Sequence, residues 1–291
     1  MSEAATGSGH YYVPHETHWP IIGSVGLFAL VGGFAMYLNG TGIGPFVAVI
    51  GLLLTLYMMY GWFGTVIRES ESGFYKAWED RSFRMGMGWF IFSEVMFFAA
   101  FFGALFYARV YSVPWLGGEG SGAATNAFLH EGFRAAWPTN GPANVGGAFE
   151  VVGAWGVPAL NTAILLTSGV TITLAHWALK QQKRGALTLW MTATWVLGAI
   201  FVGFQGMEYG HAWNDLNLTL NSGVYGSTFY MLTGFHGFHV TLGAIMLIVI
   251  TLRCMKGHFT PKNHFAFEAV AWYWHFVDVV WLGLFMFVYW F

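Results

Sequence analysis

Charged residues are scarce in this chain of 291 residues, since Asp, Glu, Lys and Arg together make up only 9% of it. Soluble domains carry about 25%, so a water-soluble globule of this size would lack a polar surface. Hydrophobic residues account for 56% and aromatic residues for 19%. Gly and Trp, with 39 and 15 copies, are both abundant in membrane proteins. The composition therefore predicts a polytopic membrane protein.

Cysteine is rare, and a basic surface is missing. The single Cys254 excludes an internal disulfide framework and any metal site built from several cysteines. A net charge of −2 without a predicted basic face argues against nucleic acid as a partner. Residues 1–19 contain no Lys or Arg, and thus no basic segment of a secretory signal peptide, so we expect a retained cytoplasmic tail there.

Seven apolar stretches are long enough to cross a bilayer, which takes about 20 helical residues. They predict an all-α protein with transmembrane helices at 20–38, 43–67, 84–110, 156–179, 187–209, 224–254 and 266–290. The predicted organisation is a two-helix hairpin at 20–67, a cytoplasmic connection at 68–83 and a five-helix bundle at 84–291. Within the bundle, the Gly-, Ala- and Pro-rich stretch 111–155 predicts an extended, irregular outer loop.

Basic residues are distributed unevenly between the predicted connections. The connections after the second, fourth and sixth spans hold ten basic residues, whereas the connections on the other side of the membrane hold only Arg109 and Arg134. Those ten are Arg68, Lys76, Arg81, Arg84, Lys180, Lys183, Arg184, Arg253, Lys256 and Lys262. Because positive charge accumulates on the cytoplasmic side, the bias predicts a cytoplasmic N-terminus and an outer C-terminus.

One carboxyl lies inside the third span. Glu94 stands within the run WFIFSEVMFFAAFFGALFY, about 12 Å from Gly86 along the helix axis, in a hydrocarbon core about 30 Å thick. Burial favours the neutral form of a carboxyl. The residue types leave two interpretations open: a group that handles protons or contacts lipid or a partner, and a neutral acid bonded to a neighbouring helix.

Two other spans contain ionisable residues, and we predict that together they form an intramembrane polar network. The seventh span carries Glu268, His275 and Asp278, the last two on one helix face at a spacing of three. The sixth span carries His236 and His239, also three apart. Paired histidines are typical of haem or metal ligation. Because such ligation needs ligands from several helices, the pattern favours hydrogen-bonded packing and no metal site.

Two other functions remain open on the residues alone. A stand-alone transporter or proton channel could use Glu94, His275 and Asp278 as a relay. A b-type haem electron carrier could pair His236 or His239 with His275. The sequence shows no duplicated halves of the kind typical of many transporters, which weakens the first of these alternatives.

Basic residues near the predicted cytoplasmic membrane surface also allow two interpretations. Arg68 follows the second span, and Arg253, Lys256 and His258 lie together at the end of the sixth. Guanidinium groups bind phosphate through paired hydrogen bonds, so these residues could hold phospholipid head groups. The simpler interpretation is that these positive charges only keep their connections on the cytoplasmic side of the membrane.

Five stretches, in conserved order, resemble subunit III of haem-copper cytochrome c oxidase. They are VIRES at 66–70, FIFSEVMFF at 90–98, LNTAILLTSGVTITLAH at 160–176, GFHGFHVTLGAIML at 234–247 and HFAFEAVAWYWHFVDVVWL at 264–282. The seven spans resemble the full-length form rather than the five-span form of quinol-oxidising relatives. The stretch 111–155 departs from the expected pattern, because it is longer and richer in Gly.

The resemblance implies a non-redox core subunit of a proton-pumping oxidase, without catalytic residues, metal or cofactor of its own. The family's haem and copper centres lie in subunits I and II, which are the implied partners together with membrane phospholipid. Cytochrome c is reached only through subunit II. The implied fold is a V-shaped two-plus-five bundle with a lipid-filled cleft.

The resemblance also assigns roles to residues. Glu94 matches the family's buried carboxyl, which faces the lipid cleft and subunit I. Arg68 and Arg253 match residues that contact lipid phosphates, with Lys256 and His258 close by. The implied function is to support proton uptake, oxygen access and active-site lifetime in subunit I. We expect a bacterial inner membrane rather than a mitochondrial one, because of the long outer loop and polar N-terminus.

Overall fold

The computed structural model describes residues 16–291, so residues 1–15 of the predicted tail lie outside the described residues. Helices account for all the regular secondary structure of the described part. The longer ones are α1 Trp19–Leu38, α2 Gly44–Glu71, α3 Ala77–Tyr107, α6 Val157–Lys180, α7 Arg184–Asn214, α8 Gly223–Lys256 and α9 Phe265–Leu284. Two π-helical segments, Ala108–Ser112 and Phe285–Trp290, continue α3 and α9.

Seven of these helices are long and apolar enough to cross a membrane, which confirms the seven predicted spans. Several extend past the apolar stretch that predicted them. The α3 helix begins at Ala77 and α2 ends at Glu71, so only residues 72–76 of the predicted connection 68–83 are non-helical. Helical hydrogen bonds do not require apolar side chains, and a helix can therefore continue into the polar interface.

The stretch 111–155 was predicted to be irregular throughout, and its first part is not. The α4 helix, Val113–Leu116, follows the π-helical end of α3 directly, and α5 covers Ala123–Leu129. The Asn126 amide donates to the carbonyls of Leu116 at 2.9 Å and Phe133 at 3.0 Å, and so fastens α5 to its flanking turns. The Gly-rich composition concealed this helix, because the order comes from the hydrogen bonds of one half-buried amide.

Two compact units divide the chain, with the boundary at Phe83. In the first unit, α1 and α2 are joined by the short turn after Leu38 and pack against each other at very close range. Gly33 and Gly51 are buried, and a Cβ added at Gly51 would overlap the backbone of Leu30. Without a hydrophobic driving force between helices in lipid, such backbone contact is what holds a membrane hairpin together.

The second unit, residues 84–291, is built around α9. Trp274 and Trp281 of this helix are fully buried. Their indole N–H groups donate to Ser168 Oγ and Thr162 Oγ1 of α6, each at 2.9 Å. A buried Trp must find such a partner for its N–H, so these bonds fix the position of α9 on α6. The V shape and the lipid-filled cleft implied by the resemblance stay predictions.

We expect the substitution Gly51→Val to destabilise the hairpin by about 1–3 kcal/mol, the usual cost of overpacking. Gly32→Val is the matched control, because a Cβ at Gly32 would meet no atom within 4 Å. Thermal melting of the two detergent-solubilised variants would measure the difference. Equal melting temperatures would show that the backbone contact contributes nothing.

Candidate functional site

The carboxyl of Glu94 is paired with the ring of His239. The Oε2 atom of Glu94, on α3, lies 2.9 Å from Nε2 of His239, on α8. The other ring nitrogen of His239, Nδ1, lies 2.6 Å from the carbonyl oxygen of Phe235, one turn earlier. The imidazole therefore uses both nitrogens within the protein, and the carboxyl that interrupts the apolar third span has a specific partner.

These contacts determine how many protons the pair holds. A carbonyl oxygen only accepts hydrogen bonds, so Nδ1 of His239 carries a proton and donates it to Phe235. The bond between Nε2 and Glu94 then needs a second proton. Either a neutral acid donates to a neutral imidazole, or an imidazolium donates to a carboxylate. In both forms the pair shares one proton and has no net charge.

Aromatic rings enclose the pair. The ring of His239 lies 5.1 Å from that of Phe98, 6.0 Å from that of Phe97 and 6.4 Å from that of Phe276, measured between centroids. The hydroxyl of Tyr273 donates to the His239 carbonyl at 3.2 Å. The side chain of Glu94 is 21% exposed and that of His239 10%. One edge of the carboxyl thus reaches the surface of the chain, while the imidazole is enclosed.

Glu268 belongs to a second group, near the start of α9. It forms an ion pair with Arg84 of α3, and its Oε1 atom lies 3.1 Å from Nε2 of His264 and 3.5 Å from Nε2 of His176. The Nδ1 atom of His264 donates to the carbonyl of Thr260 at 3.0 Å. This group holds a buried carboxylate between one permanent cation and two imidazoles.

The two imidazoles and the carboxylate of this group are the ligand types that zinc prefers, and their ligand atoms lie within 4.8 Å of one another. The surrounding charge opposes a divalent cation. Arg84 already neutralises Glu268, and Lys180 lies close enough to His176 to act on it electrostatically. These charges make the group unfavourable for a divalent metal ion, and its contacts indicate a structural role.

His275 and Asp278 form a third group, in the middle of α9. The ring Nδ1 of His275 and the carboxylate Oδ2 of Asp278 lie 3.7 Å apart, too far for a hydrogen bond. The Nε2 atom of His275 lies 3.4 Å from the hydroxyl of Thr173 on α6. The two side chains differ in exposure, because Asp278 is 8% exposed and His275 46%.

His236 stands apart from all of these groups. Its Nε2 atom donates to the carbonyl of Val277 at 3.2 Å, and its ring packs on Trp281 and Phe201. In the described part of the chain, the residues predicted as one polar network therefore fall into four separate groups. The bis-histidine haem alternative loses support as well, because His236 and His239 are enclosed and hydrogen-bonded within the protein.

A further buried carboxyl was not selected from the sequence. Glu208 of α7 is 4% exposed, and its Oε1 atom accepts hydrogen bonds from the Tyr289 hydroxyl at 2.6 Å and the Gln205 amide at 3.1 Å. The available signal was a Gln and a Glu three residues apart in an apolar helix, which places both on one face. Arg84, His176 and His264 of the Glu268 group were also missed as site residues.

The predicted lipid-binding residues lie at helix ends. Arg253 and Lys256 are in the last turn of α8, which Gly257 ends in the left-handed conformation, with φ at 76°. The guanidinium of Arg253 stacks over the ring of Phe259 at 4.6 Å, and the backbone N–H of His258 donates to the Arg253 carbonyl. In the first unit, Arg68 lies in the last turn of α2 and donates to Thr65 Oγ1 at 2.9 Å.

The fold and these groups define the class of protein: a multi-pass helical membrane protein in which the carboxyls Glu94, Glu208 and Glu268 are paired with partners in the same chain. The family model for cytochrome c oxidase subunit III matches residues 9–291, and the chain belongs to this family. It is therefore a subunit of an enzyme complex, the oxidase, and it associates with other oxidase subunits. Subunit III is itself a non-redox subunit.

Curated relatives agree with this assignment. The chain is 42% identical over 285 residues to a protein of Marchantia polymorpha, and 38% identical over 281 residues to one of Mus musculus. Each alignment covers 96% of both chains, and each relative is named cytochrome c oxidase subunit 3.

We expect Arg84→Ala to cost about 1–3 kcal/mol of stability, because it removes the cation that neutralises a largely buried carboxylate. The double variant Arg84→Ala with Glu268→Gln should lose less stability than Arg84→Ala alone, since the neutral amide leaves no uncompensated buried charge. Arg134→Ala, at an exposed loop position, is the control. Thermal unfolding of the detergent-solubilised proteins measures all of these. A double variant less stable than Arg84→Ala would contradict the ion-pair explanation.

Proposed function

We propose that this chain supports proton uptake, oxygen access and active-site lifetime in the catalytic subunit I, through Glu94 and bound phospholipid. The observation that carries the proposal is the Glu94–His239 pair. A carboxyl in a spanning helix is costly unless it is paired, and here the pair with His239 has no net charge while one edge of the carboxyl remains at the chain surface. That edge is available to contact lipid or subunit I.

The geometry of Glu94 favours a supporting role over that of a mobile carrier. Its proton is shared with an imidazole that is itself fixed by the Phe235 carbonyl and enclosed by aromatic rings. Releasing the proton to water would leave a charge in an apolar setting. We infer that Glu94 shapes the environment of proton and oxygen delivery at the subunit I side.

Phospholipid is the second part of the proposal. Arg253, Lys256 and His258 gather at the end of α8, and the positive charges lie where a helix C-terminus and the membrane surface both favour them. A guanidinium stacked on Phe259 is held in place to bind a phosphate. We propose that these residues, and Arg68 at the end of α2, bind head groups on the cytoplasmic side.

The partners follow from the family. We propose direct contact with subunits I and II, which would hold the haem and copper, and an encounter with cytochrome c only through subunit II. The proposed location is a bacterial inner membrane, on the basis of the long outer loop and the polar N-terminus. The predicted excess of basic residues on one side favours a cytoplasmic N-terminus. The mitochondrial inner membrane is the alternative location.

The transporter alternative is weakened by the separation of its proposed relay. Glu94 bonds to His239 on α8, whereas His275 contacts Thr173 on α6. No hydrogen bond in the described part of the chain connects the two groups. A relay through Glu94, His275 and Asp278 would need an additional carrier between them.

We expect Glu94→Gln to leave subunit stoichiometry and haem content of the purified complex unchanged, because the amide can donate to His239 in place of the acid. Glu94→Leu should lower the retention of this subunit, since it leaves a buried imidazole nitrogen without its partner at a cost of about 1–3 kcal/mol. Gel densitometry and the reduced haem spectrum measure both. Loss of assembly in Glu94→Gln would mean that the site requires the acid itself.

Arg253→Ala should lower the phospholipid that co-purifies with the complex and shorten its active lifetime during turnover. The reason is the loss of a bidentate phosphate ligand. Lys262→Ala is the control, because Lys262 is an exposed cation on the same predicted side. Phosphorus analysis and the decay of oxygen consumption measure the two effects. Unchanged lipid content in Arg253→Ala would remove this residue from lipid binding.

A further inference from the structure

One face of α9 is left open by the rest of the second unit. Trp272, His275 and Val279 of α9 are exposed, as is Met286 in the π-helical segment that continues it, while the positions between His275 and Val279 are buried. Spacings of three, four and seven residues place these side chains in one stripe along the helix. The stripe therefore marks a surface of α9 that the second unit leaves exposed.

A matching stripe runs along α6. Val170 is 59% exposed and Trp177 58%, and Thr173, half-buried, lies between them. The contact of the Thr173 hydroxyl with Nε2 of His275, at 3.4 Å, joins the two stripes. Together they make one surface, the α6–α9 face, with His275 at its centre.

The position of His275 is unusual for a residue facing lipid. It lies about 15 Å from Phe265 along the helix axis, close to the middle of a hydrocarbon core about 30 Å thick. Its side chain is 46% exposed, and the nearest carboxylate, Asp278, does not come within hydrogen-bonding distance. A polar group at this depth almost always faces the interior of a bundle or a partner rather than acyl chains.

We propose that the α6–α9 face binds a transmembrane helix of another oxidase subunit, which carries a hydrogen-bonding side chain at the depth of His275. Acyl chains offer no hydrogen bond to an imidazole, and the contact to Thr173 is long, so Nε2 can turn to an external partner. The flanking Val170 and Val279 supply apolar contact of the kind that packs membrane helices. The inference rests on the proposed association with other oxidase subunits, and it specifies one surface for it.

Photo-crosslinking in the assembled complex tests the surface. A benzophenone amino acid at position 279 should form an adduct with another oxidase subunit. The same group at Ile200, 42% exposed near the middle of α7, is the matched control and should form none. Adducts with lipid alone, with a second copy of this chain, or in equal yield from both positions would overturn the proposal.

Substitutions of His275 test the polar contact. His275→Leu should reduce the amount of this subunit that remains with the complex in mild detergent several-fold, and His275→Gln should restore much of it. Equal retention of His275→Leu and the unsubstituted chain would overturn the role of the imidazole. Failure of the unsubstituted chain to purify with any oxidase subunit would instead refute the proposed function.

Discussion

The absence of water from the bilayer core is the constraint on which this structure depends, because an ionisable group placed there must find its partner within protein. Glu94 pairs with His239, Glu268 with Arg84 and two imidazoles, and Glu208 with Tyr289 and Gln205. Each of these three groups includes a contact between different helices, so the polar contacts also set which helix surfaces meet. In an apolar medium that gives helices no hydrophobic reason to associate, such contacts and close backbone packing provide the specificity.

Close packing and polar pairing act in different parts of the chain. The α1–α2 hairpin relies on backbone contact at Gly33 and Gly51. The second unit relies on large side chains with polar tips, since Trp274 and Trp281 combine full burial with a bond to a hydroxyl on α6. A tryptophan of this kind both fills volume and fixes rotation about the helix axis. Small residues thus hold one pair of helices together by backbone contact, and aromatic residues hold another by side-chain packing and hydrogen bonds.

Sequence length and composition were sufficient to predict the seven spans, because hydrophobic thickness imposes a minimum on each. They were also sufficient to select Glu94 as unusual. Its partner could not be predicted, since His239 lies 145 positions away and the contact depends on helix rotation. The helix at Ala123–Leu129 was missed for a related reason, because Asn126 reaches three separate carbonyls that composition does not reveal. Local patterns record which residues must be buried, and tertiary packing decides what they touch.

The proton shared between Glu94 and His239 has a consequence for how the pair interacts with its surroundings. If that proton moves from the carboxyl to the imidazole, two neutral groups become an ion pair, while the total charge stays the same. The change therefore creates a local dipole and no new monopole, and its field falls off steeply with distance. In apolar surroundings this field is weakly screened, so the dipole acts on nearby charged groups as well as on groups in contact with it. The pair can therefore influence a neighbouring charge without gaining or losing a proton.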